Sequence, residues 1–240
     1  MAATATISQQ GEQMATPDFE LVIGDKNWSS WSLRPWLLMR QAGIPFIETS
    51  IRLRQSDTKL QILAHSPTGF IPALKWRGAA IGDSLAICET MADLFPDKRL
   101  WPQDTLARAL ARSACAEMHS GFQGLRRDMP MAVLERHPGE GHTEEAIACA
   151  RRIVEMWRGL RSRFGQQAAD DHGFLFGRFG VADAMYAPVV TRFETYGVDL
   201  AAMGDDGTAR AYMNAVLTLP SMREWIAGAE MEEREKTASS

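Results

Sequence analysis

Apolar positions change period along the chain, and the changes mark the elements. Phe19-Glu20-Leu21-Val22-Ile23-Gly24 is a nearly continuous apolar run ending in glycine, the pattern of a short buried strand. Leu33, Trp36 and Leu37 then fall at i, i+3, i+4, which predicts a helix over 30–42. Ala42-Gly43-Ile44-Pro45 stops it, with glycine past the end and proline beyond. A strand over 46–51, a short helix over 58–64, two strands over 73–76 and 79–81 around Arg77-Gly78, and a helix over 84–95 follow. This βαβαββα order implies a mixed sheet with helices packed on it.

Phe95-Pro96-Asp97-Lys98-Arg99-Leu100-Trp101-Pro102 reads as a linker, with two prolines among its charges. Everything after it is helical in pattern, with helices predicted over 105–128, 143–164, 181–196, 209–218 and 221–230. The breaks fall at Pro130, at Pro138-Gly139-Glu140-Gly141, over 173–180 and over 204–207. The expected organisation is a disordered tail over 1–17, an α/β domain over 18–97, a linker over 98–104, an all-α domain over 105–230 and a frayed end over 231–240.

Composition narrows the function classes. The 240 residues are 45% hydrophobic and 23% charged, enough to bury a sizeable core. A formal net charge of −4 argues against a nucleic-acid partner. Arg151, Arg152, Arg158, Arg161 and Arg163 share one predicted helix with apolar residues and read as a solvated face. No stretch approaches the roughly 18 apolar residues of a membrane span. The first 17 residues hold no Lys or Arg and no apolar block, so no secretory signal is expected. Three widely spaced cysteines, Cys88, Cys115 and Cys149, suggest reduced thiols and a cytoplasmic protein. Five histidines without ligand spacing, and no Cys-x-x-Cys, give no reason to expect a metal.

Candidate chemistry gathers at Asn27-Trp28-Ser29-Ser30-Trp31-Ser32-Leu33-Arg34-Pro35, where the first strand gives way to the first helix. A helix start offers unpaired N–H groups and the positive end of the dipole, so an anion or a thiol losing its proton is stabilised there. Simple N-capping by Ser29 or Ser30, at about 1 kcal/mol, is the structural alternative.

Three more segments complete the pattern. They are Ser66-Pro67-Thr68-Gly69-Phe70-Ile71-Pro72-Ala73-Leu74, Gly82-Asp83-Ser84-Leu85-Ala86-Ile87 and Gly177-Arg178-Phe179-Gly180-Val181-Ala182-Asp183-Ala184-Met185. Together with the element order over 19–229 they resemble the cytosolic glutathione S-transferases. The resemblance implies a thioredoxin-like N-terminal domain that binds glutathione and an all-helical C-terminal domain supplying most of the second-substrate site. It implies that Pro72 is cis, turning the backbone of Ile71 toward the cysteinyl part of glutathione. Asp83 would meet the γ-glutamyl ammonium, and Ser84 would cap the next helix and hold the γ-glutamyl carboxylate. Asp183 would cap a helix from the inside, with Gly180 standing where the family has Ser or Thr. Phe70 replaces a basic residue or glutamine of the family.

The serine pair most resembles the zeta class, whose Ser-Ser-Cys-Ser-x-Arg motif matches 29–34 with Trp31 in the cysteine's place. Ser29 or Ser30 is then the expected catalytic hydroxyl, with Trp31, Ile71, Pro72, Asp83 and Ser84 around glutathione. Trp28, Trp31, Met118, His119 and Phe122 are candidates for the pocket of a small hydrophobic electrophile. That class includes maleylacetoacetate isomerase, whose substrate-binding arginine falls at Thr195 here, with Arg192 one turn earlier as a substitute. The resemblance also implies a homodimer. The alternatives are a glutathione-dependent isomerase, a non-catalytic interaction module, and a thiol–disulfide reductase, which the lack of a cysteine near Ser29 disfavours.

Overall fold

The computed structural model describes residues 18–238. The tail expected over 1–17, and the last two residues of the end expected to fray, lie outside them. The strands β1 (Phe19–Gly24), β2 (Ile47–Ile51), β3 (Ala73–Trp76) and β4 (Ala79–Gly82) form one sheet in the order β2-β1-β3-β4. β1 runs parallel to β2 and antiparallel to β3, and β3 antiparallel to β4, so the sheet is mixed as expected. β1 is apolar apart from Glu20 because helices cover both its faces. Leu21 and Ile23 enter the main core with Leu33, Leu37, Ile87 and Met91, while Val22 points the other way, to Ile51, Ile62 and Ala73. The helices responsible are α1 (Ser30–Gln41), α2 (Thr58–His65) and α3 (Ser84–Leu94). Gly43 ends α1 in the left-handed conformation, and Ile44 N–H closes back on Met39 O at 2.9 Å. Arg77 and Gly78 both take positive φ, the requirement of a two-residue hairpin turn.

The helical half comprises α4 (Thr105–Ser120), α5 (Gln123–Asp128), α6 (Glu144–Leu160), α7 (Val181–Tyr196), α8 (Thr208–Leu217) and α9 (Pro220–Ala238), with a short π-helical turn at Arg161–Gly165. The single helix expected over 105–128 is two. Phe122 sits at φ 57°, and Arg126 folds back over the break. Its guanidinium donates to Gly121 O at 3.0 Å, to His119 O at 3.3 Å and to Met118 O, satisfying the carbonyls that α4 leaves unpaired. α9 likewise outruns the sequence reading: it stays helical to Ala238 where fraying was expected from 231, because Glu232 and Lys236 bond to the loop after β1.

α7 is the central helix and is buried along most of its length. Asp183 caps it from within, its two carboxylate oxygens accepting Gly180 N–H at 2.9 Å and Leu175 N–H at 3.0 Å. Gly180 cannot carry the family's hydroxyl residue here, because a Cβ would lie 2.6 Å from Leu100 O. The two halves meet mainly where α1 packs against α7 and α9, with Trp36 and Trp225 edge to face at 5.0 Å.

Candidate functional site

β1 ends in a tight turn that delivers Ser29 to the start of α1: Asp25 O accepts Trp28 N–H at 3.2 Å and Ser29 N–H at 2.8 Å. Ser29 is the N-cap residue by position, yet its side chain makes no capping bond. Its hydroxyl donates instead to Ser32 Oγ at 2.7 Å, which also accepts Gly24 N–H at 3.1 Å. Both serines are buried, and the Ser30 hydroxyl makes no hydrogen bond among the described residues. Neither serine therefore acts as a side-chain cap.

On the other side of the sheet edge, the Ile71–Pro72 peptide bond is cis, as the resemblance implied. One cavity of about 350 Å³ is lined by Trp31, Phe70, Ile71, Pro72, Asp83, Ser84 and His119. It brings together all five residues expected around glutathione, from three separate stretches of chain. Ser29 and Ser30 adjoin Trp31 in the chain but are not among the lining residues. A larger cavity of about 610 Å³, near Gln41, Lys98 and Leu219, contains none of the expected residues.

The capping roles at α3 are reversed from the expectation. Asp83, not Ser84, is the cap: its Oδ1 accepts Leu85 N–H at 2.8 Å and Ala86 N–H at 3.1 Å. The reason is its left-handed backbone, φ 73°, which aims the short carboxylate at the helix start. Ser84 becomes the first helical residue, and its buried hydroxyl has no partner among the described residues. Asp83 Oδ2 faces His119 Nε2 at 3.1 Å, a contact from α4 that the sequence reading did not anticipate. Nothing in the spacing of two residues in different units signals such a pair.

Positive charge is concentrated behind Trp31. Its ring lies between the guanidinium groups of Arg34, 4.0 Å from the centroid, and Arg126, 4.4 Å, with His119 edge-on at 5.4 Å. Arg34 is fully buried, and among the described residues none of its three guanidinium nitrogens has a hydrogen-bond partner. Burial, reinforced by Arg126 and Arg192, pulls its pKa down to about 9, so it remains charged at neutral pH. Burial pushes the thiols of Cys88 and Cys115 up, which makes both poor nucleophiles.

Of the five residues suggested for an electrophile pocket, Trp31 and His119 line the cavity. Met118 is fully buried in the core, Phe122 packs against that core at the α4–α5 break, and Trp28 lies between Arg54 and Lys236, each 4.5 Å from its ring. The isomerase candidates are engaged elsewhere. Thr195 Oγ1 donates to Ala132 O at 2.9 Å, and buried Arg192 donates to Met129 O at 2.9 Å and Pro188 O at 3.2 Å. Arg192 is thus bonded to backbone carbonyls at Met129 and Pro188. Among the described residues no group of three or more His, Cys, Asp or Glu is placed to hold a metal ion. No helix among them is long and apolar enough to cross a membrane.

Comparison with known proteins agrees with this geometry. The family model for the glutathione S-transferase N-terminal domain matches residues 28–94, and that for the C-terminal domain matches residues 131–228. Maleylacetoacetate isomerase of Rattus norvegicus is 31% identical over 179 residues, covering 71% of this chain and 76% of its own. Glutathione S-transferase 1 of Dianthus caryophyllus is 26% identical over 180 residues, covering 72% and 77%. A glutathione transferase homolog from Burkholderia gl BGR1, solved with bound glutathione, superposes with a TM-score of 0.62 at 20% identity, covering 88% of this chain and 97% of that one. A thioredoxin-like sheet unit, an all-helical second half and these matches together make the chain a member of the glutathione S-transferase family and a glutathione transferase.

Proposed function

We propose that the 350 Å³ cavity takes glutathione and that the start of α1 activates its thiol as a thiolate for attack on a small electrophile. The observation that carries this reading is the buried, unpartnered hydroxyl of Ser84 on the cavity wall, beside the Asp83 carboxylate. A buried hydroxyl without a partner costs about 1–3 kcal/mol, a deficit that an anionic ligand group would remove. The γ-glutamyl carboxylate then meets Ser84 at the helix start, its ammonium meets Asp83, and the backbone of Ile71 pairs with the cysteinyl residue.

The thiol lies toward Trp31 and the serines. Rotation of two hydroxyl protons reverses the Ser29–Ser32 bond without moving a heavy atom. Gly24 N–H then donates to Ser32, Ser32 to Ser29, and Ser29 to the sulfur, a chain in which each bond strengthens the next. A free thiol has pKa about 8.5, and lowering it by about two units requires about 2.7 kcal/mol of preference for the thiolate. A hydroxyl donor to a charged acceptor contributes about 1.5–3 kcal/mol and the helix dipole about 0.3–1 kcal/mol. The unpaired charge of Arg34 adds to the same sign of field. No general base is required.

The electrophile would enter beside Trp31 and His119. The isomerase reading is supported by the 31% identity to the rat enzyme, and it would need a substrate anchor other than Arg192. We further propose a homodimer, as closed two-fold dimers dominate soluble oligomers; light scattering should give the mass of two chains at micromolar concentration. Retention on immobilised glutathione followed by conjugation of chlorodinitrobenzene tests the main reading. Retention with turnover is the expected result. Retention without turnover would redirect the search to isomerase substrates, and failure to bind glutathione would leave an interaction module.

A further inference from the structure

The turn that leads into Ser29 is held from two sides by the helical half. The 133–135 segment grips Asn27: Val133 N–H donates to Asn27 O at 3.2 Å, Leu134 N–H to Asn27 Oδ1 at 3.1 Å, and Asn27 Nδ2 to Glu135 at 3.2 Å. α9 grips the rest. Trp225 Nε1 donates to Lys26 O at 2.9 Å, and Lys26 N–H donates to Glu232 Oε2 at 2.8 Å. The Lys26 ammonium pairs with Glu232 Oε1 at 3.3 Å and with Glu48 of β2. Lys236 Nζ lies 3.1 Å from Asp25 Oδ1 and 4.5 Å above the Trp28 ring. Asp25 in turn accepts Leu53 N–H through Oδ2 at 2.5 Å, and its carbonyl accepts the N–H of Ser29.

The helix is shaped for this contact. A Cβ on Gly228 would lie 2.7 Å from Lys26 Cδ, so the glycine leaves the passage through which the lysine stem crosses α9. Asp25 and Lys26 are buried, and removing one partner of an ion pair at that depth leaves an uncompensated charge, so the turn is held to Glu232 and Lys236.

We propose that the last turns of α9, through Glu232 and Lys236, are a positioning element of the reaction centre. They set the 25–28 turn and with it the direction in which the start of α1 faces the thiol. A change far from the chemistry that misplaces the reacting groups by about 1 Å can lower a rate by about a hundredfold, so such an anchor has kinetic weight out of proportion to its contacts. The consequence for catalysis rests on the thiol activation proposed above at the start of α1, whichever group there does the activating.

The test uses the full chain with Glu232→Ala and Lys236→Ala, singly and together, and Gly228→Val, which displaces the Lys26 stem from a different atom. Ultraviolet titration of bound glutathione should show the thiol pKa raised by about one unit, with kcat at pH 6.5 lowered about fivefold and the KM for glutathione within about twofold. Lys236→Arg should retain wild-type titration, as should Arg234→Ala on the exposed side of the same helix. A lower melting temperature with unchanged titration and kcat would mean that α9 only stabilises, and would overturn the proposal. Ser29→Ala and Ser30→Ala run in parallel. If a serine variant moves the titration and the α9 variants do not, the positioning role alone falls. If the α9 variants move it and neither serine does, the positioning role stands and the hydroxyl mechanism falls.

Discussion

Ser84→Ala should change stability and binding in opposite directions. Ser84 is 1% exposed, stands at the first position of α3, and its hydroxyl has no partner among the described residues because Asp83 has taken the capping role. Removing an unsatisfied buried hydroxyl recovers about 1–3 kcal/mol of desolvation, and alanine is the better helix former by up to about 0.5 kcal/mol. For a chain of this length about 2–4 °C of melting temperature accompanies each kcal/mol, so the free variant should melt roughly 2–14 °C higher. If the same hydroxyl donates to the γ-glutamyl carboxylate, its loss removes about 1.5–3 kcal/mol of binding, a weakening of about 10- to 150-fold in Kd. Scanning calorimetry with and without glutathione, together with titration calorimetry, reads both quantities. Ligand stabilises the native state by mass action, so saturating glutathione should raise the wild-type melting temperature more than the variant's. A variant that melts lower without ligand, or that binds glutathione as tightly as wild type, would refute the assignment of Ser84 to the ligand.

Three further outcomes are expected. Ser29→Ala or Ser30→Ala should raise the pKa of the bound thiol by one to two units, at about 1.4 kcal/mol per unit, and lower conjugation at pH 6.5 by roughly five- to fiftyfold with Kd little changed; an unmoved titration in both would shift thiol activation to the backbone N–H groups of α1. Asp83→Asn keeps the cap and tolerates the positive φ while removing the charge, so its cost should be that of a solvent-screened pair, about 0.2–1 kcal/mol in glutathione affinity by calorimetry, because the side chain is 45% exposed. Burial pushes Asp183 up to about 7 against the hydrogen bonds that hold it, so the native state keeps a proton that the unfolded chain releases near pH 4. The stability supplied by this group is therefore complete below pH 4 and declines as pH rises to 7, by about 4 kcal/mol for a shift of about three units; in denaturant melts wild type should lose stability relative to the non-titrating Asp183→Asn over that window, and a constant difference between them would contradict the raised pKa.

The order of elements, the mixed sheet and the two-part architecture were legible because each leaves a local mark: period-two and period-3.6 apolar spacing, a turn dipeptide, a proline-bearing linker. Trp31, Ile71, Pro72, Asp83 and Ser84 came from the resemblance to the glutathione S-transferases, and the fold brings those five to one cavity. The α4–α5 break was not. Its apolar spacing runs on past Ser120, and what stops the helix is Arg126 reaching back over Gly121, a contact between turns that periodicity does not register. The end of α9 was misread for a related reason. Its sequence after Ala229 is charged and reads as solvated, and only the turn after β1, some two hundred residues earlier in the chain, provides the partners that keep it helical.

The sequence by itself determined the residue types at the site and the helix starts that carry them, since caps, dipoles and glycine or proline stops act over a few residues. Tertiary structure decided which of those groups were already satisfied. Asp83 and Ser84 are equivalent candidates for a cap in the chain; the left-handed backbone at Asp83 gives it the role and leaves Ser84 unpartnered on the cavity wall. Arg192 and Arg34 are both plausible anion binders by type, yet one is bonded to backbone carbonyls and the other is buried with every donor unused beneath Trp31. Hydrogen-bond satisfaction and burial depend on atoms brought together from distant parts of the chain. They are decided only when α1, α4, α7 and α9 close around the end of β1.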